Sequence, residues 1–181
     1  VEPIDALLDV VVADDLMTGL EPVSIGTDDA SWAERVRLLD TDPRVIAGGS
    51  DAGAHLDMMK TFACHTSFLA EAVRARRLMS LERAVQLFTE APARLYGLTG
   101  RGRVAEGWCA DLVVFDPATV GPGTVAPRQD LPGGGWRLYS EATGVDCTIV
   151  NGVEIVRDGR VTGETPGTTL RSGRDTETVA V

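Results

Sequence analysis

Two closely spaced dipeptides, Asn151-Gly152 and Asp158-Gly159, restrict what this chain can fold into more than any other feature. Asn-Gly and Asp-Gly accept the consecutive positive φ angles of two-residue hairpin turns, whose twist matches that of the flanking strands. Each sits between stretches rich in β-branched residues. Asn151-Gly152 separates 145–150 from 153–157, and Asp158-Gly159 separates 153–157 from 160–162. The expected result is a three-stranded antiparallel meander. A further strand is expected over 110–116, between Gly107 and Pro117. Residues 121–135 are rich in Gly and Pro and read as loop, and the polar tail from Thr165 reads as frayed.

Before Arg101 the hydrophobic period is helical. Ile4, Leu7, Leu8, Val11 and Val12 recur at helical spacing, with Pro3 suited to the first turn and Gly19 to the exit. Ser31 and Glu34 have the spacing of a capping box ahead of Trp32, Val36 and Leu39, and Pro43 closes that helix. Arg44-Val45-Ile46-Ala47 reads as a short buried strand that delivers the chain into Gly48-Gly49-Ser50-Asp51. A long helix with Phe62, Leu69, Val73 and Arg76 on one stripe should follow. Next come a helix from Ser80, with Leu81, Ala84, Val85 and Phe88 inward, and a short one from Pro92 to Gly97. The change of character near Arg101 divides the chain into 1–100 and 101–181. The fold class is α/β.

Composition narrows the partners. With 17 Lys+Arg against 27 Asp+Glu the formal net charge is −10, which repels nucleic-acid backbones and anionic membranes. No apolar run reaches the roughly 20 residues that span a bilayer. Val10-Val11-Val12-Ala13 is the nearest, and Asp9 and Asp14 flank it. Cys64, Cys109 and Cys147 fit neither a disulfide framework nor a Cys-x-x-Cys zinc site. Three reduced thiols in a cytoplasmic protein is the reading.

The chemistry points to 45–55. A carboxylate, Asp51, follows the expected strand, an imidazole, His55, comes four residues later, and small residues crowd the turn so that a ligand can approach closely. The other reading is a glycine-rich turn in which Asp51 caps the next element. His65 falls within a helix. Together with Asp51, His55 and Asp57 it offers metal-ligand chemistry, but at no recognised zinc spacing. Gly133-Gly134-Gly135 lacks the strand-loop-helix setting of a phosphate loop. No Gly-x-Ser-x-Gly nucleophile elbow occurs.

Gly49-Ser50-Asp51-Ala52-Gly53-Ala54-His55 resembles the last-strand motif of the D-aminoacylase branch of the amidohydrolases. The likeness continues through Leu81–Val85 and Thr89–Ala93, then through Arg101–Gly107 into Ala110–Asp116. It ends in Val150-Asn151-Gly152 and Thr162–Gly167. The resemblance implies the C-terminal end of a (β/α)8 metal-dependent hydrolase barrel over 1–100. Over 101–181 it implies strands of a small β-sandwich. It also implies an N-acyl-D-amino-acid deacylase with one or two zinc ions, in which Asp51 is the catalytic acid/base and a possible metal contact. His55 would be a substrate-orienting or supporting residue. No His-x-His pair is present, so the other metal ligands would lie outside these residues, and the chain alone would be inactive and hold no stable zinc. The implied partner is a small N-acyl amino acid or related amide, with self-association or pairing with a preceding N-terminal part. The alternatives are a non-catalytic helical-plus-meander interaction module, and a dihydroorotase-like cyclic amidase.

Overall fold

The computed structural model describes residues 1–16, 18, 26–50, 53–54, 56–57, 61–177 and 179. Helices come first. They are α1 (Pro3–Ala13), α2 (Asp29–Thr41), α3 (Cys64–Phe68), α4 (Leu81–Phe88) and α5 (Glu90–Leu95). A 3-10 turn, Thr61–Ala63, leads into α3, and a π segment, Leu69–Ala75, continues it. Strands follow: β1 (Leu112–Phe115), β2 (Gly121–Pro122), β3 (Ala126–Arg128), β4 (Arg137–Tyr139), β5 (Ala142–Thr143), β6 (Val145–Val150), β7 (Val153–Arg157) and β8 (Arg160–Val161). Among the described residues no helix is long and apolar enough to cross a membrane.

The meander forms as expected. β6, β7 and β8 pair antiparallel, and β1 adds on the far side of β6 to give the order β1-β6-β7-β8. Both turns use the backbone the dipeptides allow. Asn151 and Gly152 have φ 48° and 80°, and Asp158 and Gly159 have 48° and 73°. The first turn is also braced from outside. The Asn151 amide donates to Asp111 Oδ1 (2.9 Å), its side chain donates to the Pro166 carbonyl (2.7 Å), and Arg101 donates to its Oδ1 (3.0 Å) and pairs with Asp111. Asp111 and Arg101 thereby fix the hairpin to the start of β1.

Helix packing depends on small residues. The buried apolar side chains include Ala70, Ala72, Ala84 and Ala93, besides Leu87 and Val36, so the backbones of the π segment, α4 and α5 approach closely. Phe68 bridges to α2 and α4, with ring centroids 6.3 Å from Trp32 and 5.2 Å from Phe88. Arg74 then joins the helical part to the strands by donating to the Val120 carbonyl.

Five local expectations need correction. No strand forms at 45–47: Val45, Ile46 and Ala47 are half-buried in irregular backbone, and the Val45 amide donates to Asp42 O (3.0 Å). A buried strand needs neighbours to satisfy its N–H and C=O groups, and none pairs with this stretch among the described residues. The α2 cap is Asp28, which accepts from the Ser31 amide (2.9 Å) and hydroxyl (2.7 Å), while Glu34 turns to Arg37 (2.7 Å) instead. Asp28 wins because it lies one turn earlier with a carboxylate facing the free N–H groups. α1 ends at Ala13, ahead of Gly19, which lies outside the described residues; Asp15 and Leu16 take the positive φ angles of the exit (49° and 65°). Residues 121–135 carry β2 and β3, which pair with β5 and β4. The tail is tied down: the Glu177 amide donates to Gly97 O (2.8 Å) and the Thr99 amide to Asp175 O (3.3 Å), around a bridge between Leu98 and Thr176. Backbone pairing of this kind leaves no trace in side-chain polarity.

Candidate functional site

Arg44 clamps Asp42 through its Nε (2.9 Å) and Nη2 (2.6 Å), and the chain then runs exposed through Gly48, Gly49 and Ser50. Among the described residues nothing lies within 4 Å of where a Cβ would stand on Gly48 or Gly49, so a ligand can reach this backbone. Asp51 and His55, the two site residues inferred from sequence, lie outside the described residues. Between them Gly53 has φ 102°, and just after His55 the Leu56 carbonyl accepts from the Leu138 amide (2.7 Å), which ties Leu56 to β4. The described residues that flank the motif are thus held at the end of α2 on one side and by β4 on the other.

Gly49 and Ser50 form one wall of a cavity of about 630 Å³. Its opposite wall is the composite helix, through Thr61, Cys64, Ser67 and Glu71, and Pro122 and Gly123 of the strand region border it. The volume lies in the range of small-molecule sites. Glu71 is charge-balanced by Arg76, which also reaches Asp29 (2.9 Å) and stacks on Trp32 at 5.2 Å from the ring centroid. Glu71 and then Asp29 hold the Arg76 guanidinium more firmly protonated than usual. Among the described residues Thr61 Oγ1 is buried without a hydrogen-bond partner. Cys64 Sγ lies 3.3 Å from His65 Nδ1, and the His65 ring stands edge-on to Phe88 with centroids 4.7 Å apart.

Of these wall residues, Ser67 and Glu71 were not singled out in the sequence, and Cys64 was read only as one of three reduced thiols. Cys64, Ser67 and Glu71 stand three and four residues apart, which places them on one helical face, and that spacing was the available signal. A second, more apolar cavity of about 700 Å³ opens between α3–α4 and the β1–β6 face, with His65, Phe88, Leu112 and Val145 among its lining. His65 lines this second cavity, while its neighbour Cys64 lines the first.

A zinc site takes three protein ligands plus water when catalytic, or four when structural. Among the described residues no group of three or more His, Cys, Asp or Glu side chains comes together, and neither His65 nor Asp57 enters one. The described residues do not by themselves fit a zinc centre.

The sequence profile of the amidohydrolase family matches residues 2–156. The N-acyl-D-aspartate deacylase of Alcaligenes xylosoxydans xylosoxydans is 37% identical over 108 residues, 60% of this chain and 20% of that protein. The D-aminoacylase of the same organism is 32% identical over 136 residues, 74% of this chain and 26% of that protein. A D-aminoacylase crystal structure superposes with a TM-score of 0.44 at 35% identity, covering 57% of this chain and 20% of that one. The chain spans about a fifth to a quarter of the length of these curated relatives. The family profile runs from α1 through β7, across both the helices and the first three strands of the four-stranded sheet, and the chain belongs to the amidohydrolase family.

Proposed function

We propose that this chain forms the C-terminal part of a metal-dependent amidohydrolase that cleaves the amide of N-acyl-D-amino acids. The family match over residues 2–156 carries the reading, and the deacylase activities named for the relatives give the substrate class. In the whole enzyme residues 1–100 close a (β/α)8 barrel and 101–181 contribute strands to a small β-sandwich. Asp51 is the proton carrier. As water attacks the acyl carbonyl, a carboxylate accepts its proton, then delivers it to the amine, which is otherwise a very poor leaving group. His55 orients the substrate or supports Asp51. The described residues do not make up a zinc centre, so the one or two zinc ions of the proposed enzyme take their ligands beyond them, with Asp51 as the possible contribution from this chain. The small amide substrate is the partner, nucleic acid is not, and the free thiols suit the cytoplasm.

The test is steady-state hydrolysis of N-acetyl-D-amino acids by a protein of the relatives' full length that carries this chain. Asp51→Asn should lower kcat by roughly 10²–10⁴-fold, the usual worth of a positioned acid/base group. KM should change far less, because the amide keeps the carboxylate's shape. Near-normal kcat in the variant removes Asp51 from the chemistry, and absence of turnover on any N-acyl-D-amino acid in the wild type rejects the substrate class.

A further inference from the structure

We infer that Cys64 is an exchange-reactive thiol, with His65 as its proton acceptor, and that it takes up low-molecular-weight disulfides as a covalent modification. The arrangement has two sides. Cys64 is half-buried on the wall of the cavity of about 630 Å³, so a disulfide can reach the sulfur from there. His65 Nδ1 lies 3.3 Å from that sulfur, and His65 lines the other cavity, so the imidazole takes the proton without standing in the path of attack. With its own proton on Nε2, the ring accepts from the Cys64 S–H. The Phe88 edge-on contact at 4.7 Å holds the ring in place.

The step balances. The Cys64 S–H bond breaks and its proton passes to His65 Nδ1 as the sulfur attacks one sulfur of the incoming disulfide. The disulfide S–S bond breaks, a mixed disulfide forms on Cys64, and the departing thiolate takes the proton. The disulfide is the oxidant and one of its halves is released as thiol.

The other two thiols are internal controls. Cys147 is buried, and burial, then the charge of Glu154, pushes its thiol above the ordinary range, which disfavours the nucleophilic thiolate. Cys109 is exposed and has no side-chain hydrogen bond among the described residues. The inference does not depend on the deacylase reading, because it concerns this wall alone. Its consequence does touch that reading: an adduct on Cys64 fills the space beside Gly49 and Ser50, immediately before Asp51.

The experiment exposes the chain to glutathione disulfide and follows each cysteine by peptide mass spectrometry. Cys64 should be modified roughly tenfold faster than Cys109, with Cys147 unmodified. His65→Phe keeps a ring against Phe88 but removes Nδ1. It should slow Cys64 by roughly tenfold and leave Cys109 unchanged. Unmodified Cys147 reports that a variant is folded; where it reacts, His65→Gln carries the comparison instead. Cys109 reacting as fast as Cys64, or a Cys64 rate indifferent to loss of the imidazole in a folded variant, overturns the inference.

Discussion

Gly97 and Gly100 share a positive φ, 63° and 64°, in different surroundings. Gly97 ends α5 in a Schellman arrangement, with the Leu98 amide donating to Ala93 O (2.8 Å) and the Gly97 amide to Arg94 O (3.1 Å). A Cβ on Gly97 would overlap the Glu177 carbonyl oxygen and come within 3.2 Å of a Val179 methyl, whereas among the described residues a Cβ on Gly100 meets nothing within 4 Å. Gly→Ala at either site forces an L-residue into the left-handed region at a cost of about 1–2 kcal/mol. About 0.4–1 kcal/mol returns from the stiffer unfolded chain. Gly100→Ala should therefore lose about 1 kcal/mol. Gly97→Ala must also push the tail away. The Glu177-to-Gly97 and Thr99-to-Asp175 hydrogen bonds then go, at about 1 kcal/mol each, for about 3 kcal/mol in all. Urea titration at an m-value of about 2 kcal/mol/M puts the midpoint shifts near 0.5 M and 1.5 M. Amide exchange localises the difference: an extra loss of about 2 kcal/mol corresponds to roughly 30-fold faster exchange at Thr99 and Glu177. Equal midpoint shifts, or unchanged protection of those two amides in Gly97→Ala, would refute the claim that the tail is docked.

Asn151→Ala removes both the tolerance for φ 48° and the side-chain bonds to Arg101 and Pro166, and should cost about 2–3 kcal/mol in denaturant titration. Asn151→Gly, which restores only the turn, should recover about 1 kcal/mol of that. No residue of α1 is buried, and Ile4, Leu8 and Val12 are more than half exposed, so the chain should self-associate through this face. Leu8→Asp should then shift sedimentation toward the monomer, and an unchanged profile removes α1 from the contact. Asp28, Asp130 and Asp175 are held below the ordinary carboxylate range, chiefly by Ser31, Arg137 and Arg174 respectively. The unfolded chain therefore binds more protons as pH falls, so their contribution is complete above the unfolded pKa values and is lost through the lower, folded ones. Thermal melts from about pH 6 to about pH 2 should fall on the acid side only below the ordinary carboxylate range, and melts independent of pH there would contradict these pairings.

The elements legible in the sequence are those set by residues close along the chain. Asn-Gly and Asp-Gly state their own backbone angles, so the β6–β8 meander follows almost directly. Ser80 caps α4 by accepting from the Arg83 amide (3.2 Å), and Gly97 ends α5, each within one turn of the helix it serves. Elements that depend on distant partners were not legible. The Leu98–Thr176 bridge and the short β2–β5 and β3–β4 ladders join segments with no pattern in common. Val45–Ala47 shows the converse. A β-branched run reads as strand, yet strand is a relation between two segments, and among the described residues no second segment pairs with it.

The composite helix shows the same division at the site itself. A uniform 3.6-residue period puts Phe62, Leu69, Val73 and Arg76 on one stripe. In the structure Ala70 and Ala72 are the buried positions of the π segment, and at its end the Arg76 amide reaches back five residues to Glu71 O (3.0 Å). Five-residue bonds take more residues per turn and rotate the later side chains relative to the earlier ones. The rotation brings Arg76 onto both Glu71 and the Trp32 ring. Glu71 is thereby neutralised on the same wall as Cys64 and Ser67. A regular α-helix through 69–75 would carry Arg76 away from Trp32 and leave Glu71 as an unbalanced negative charge on the cavity wall. The irregular hydrogen bonding, which no local propensity in 69–75 announces, is thus what pairs Glu71 with Arg76 and leaves the cavity wall polar but nearly neutral.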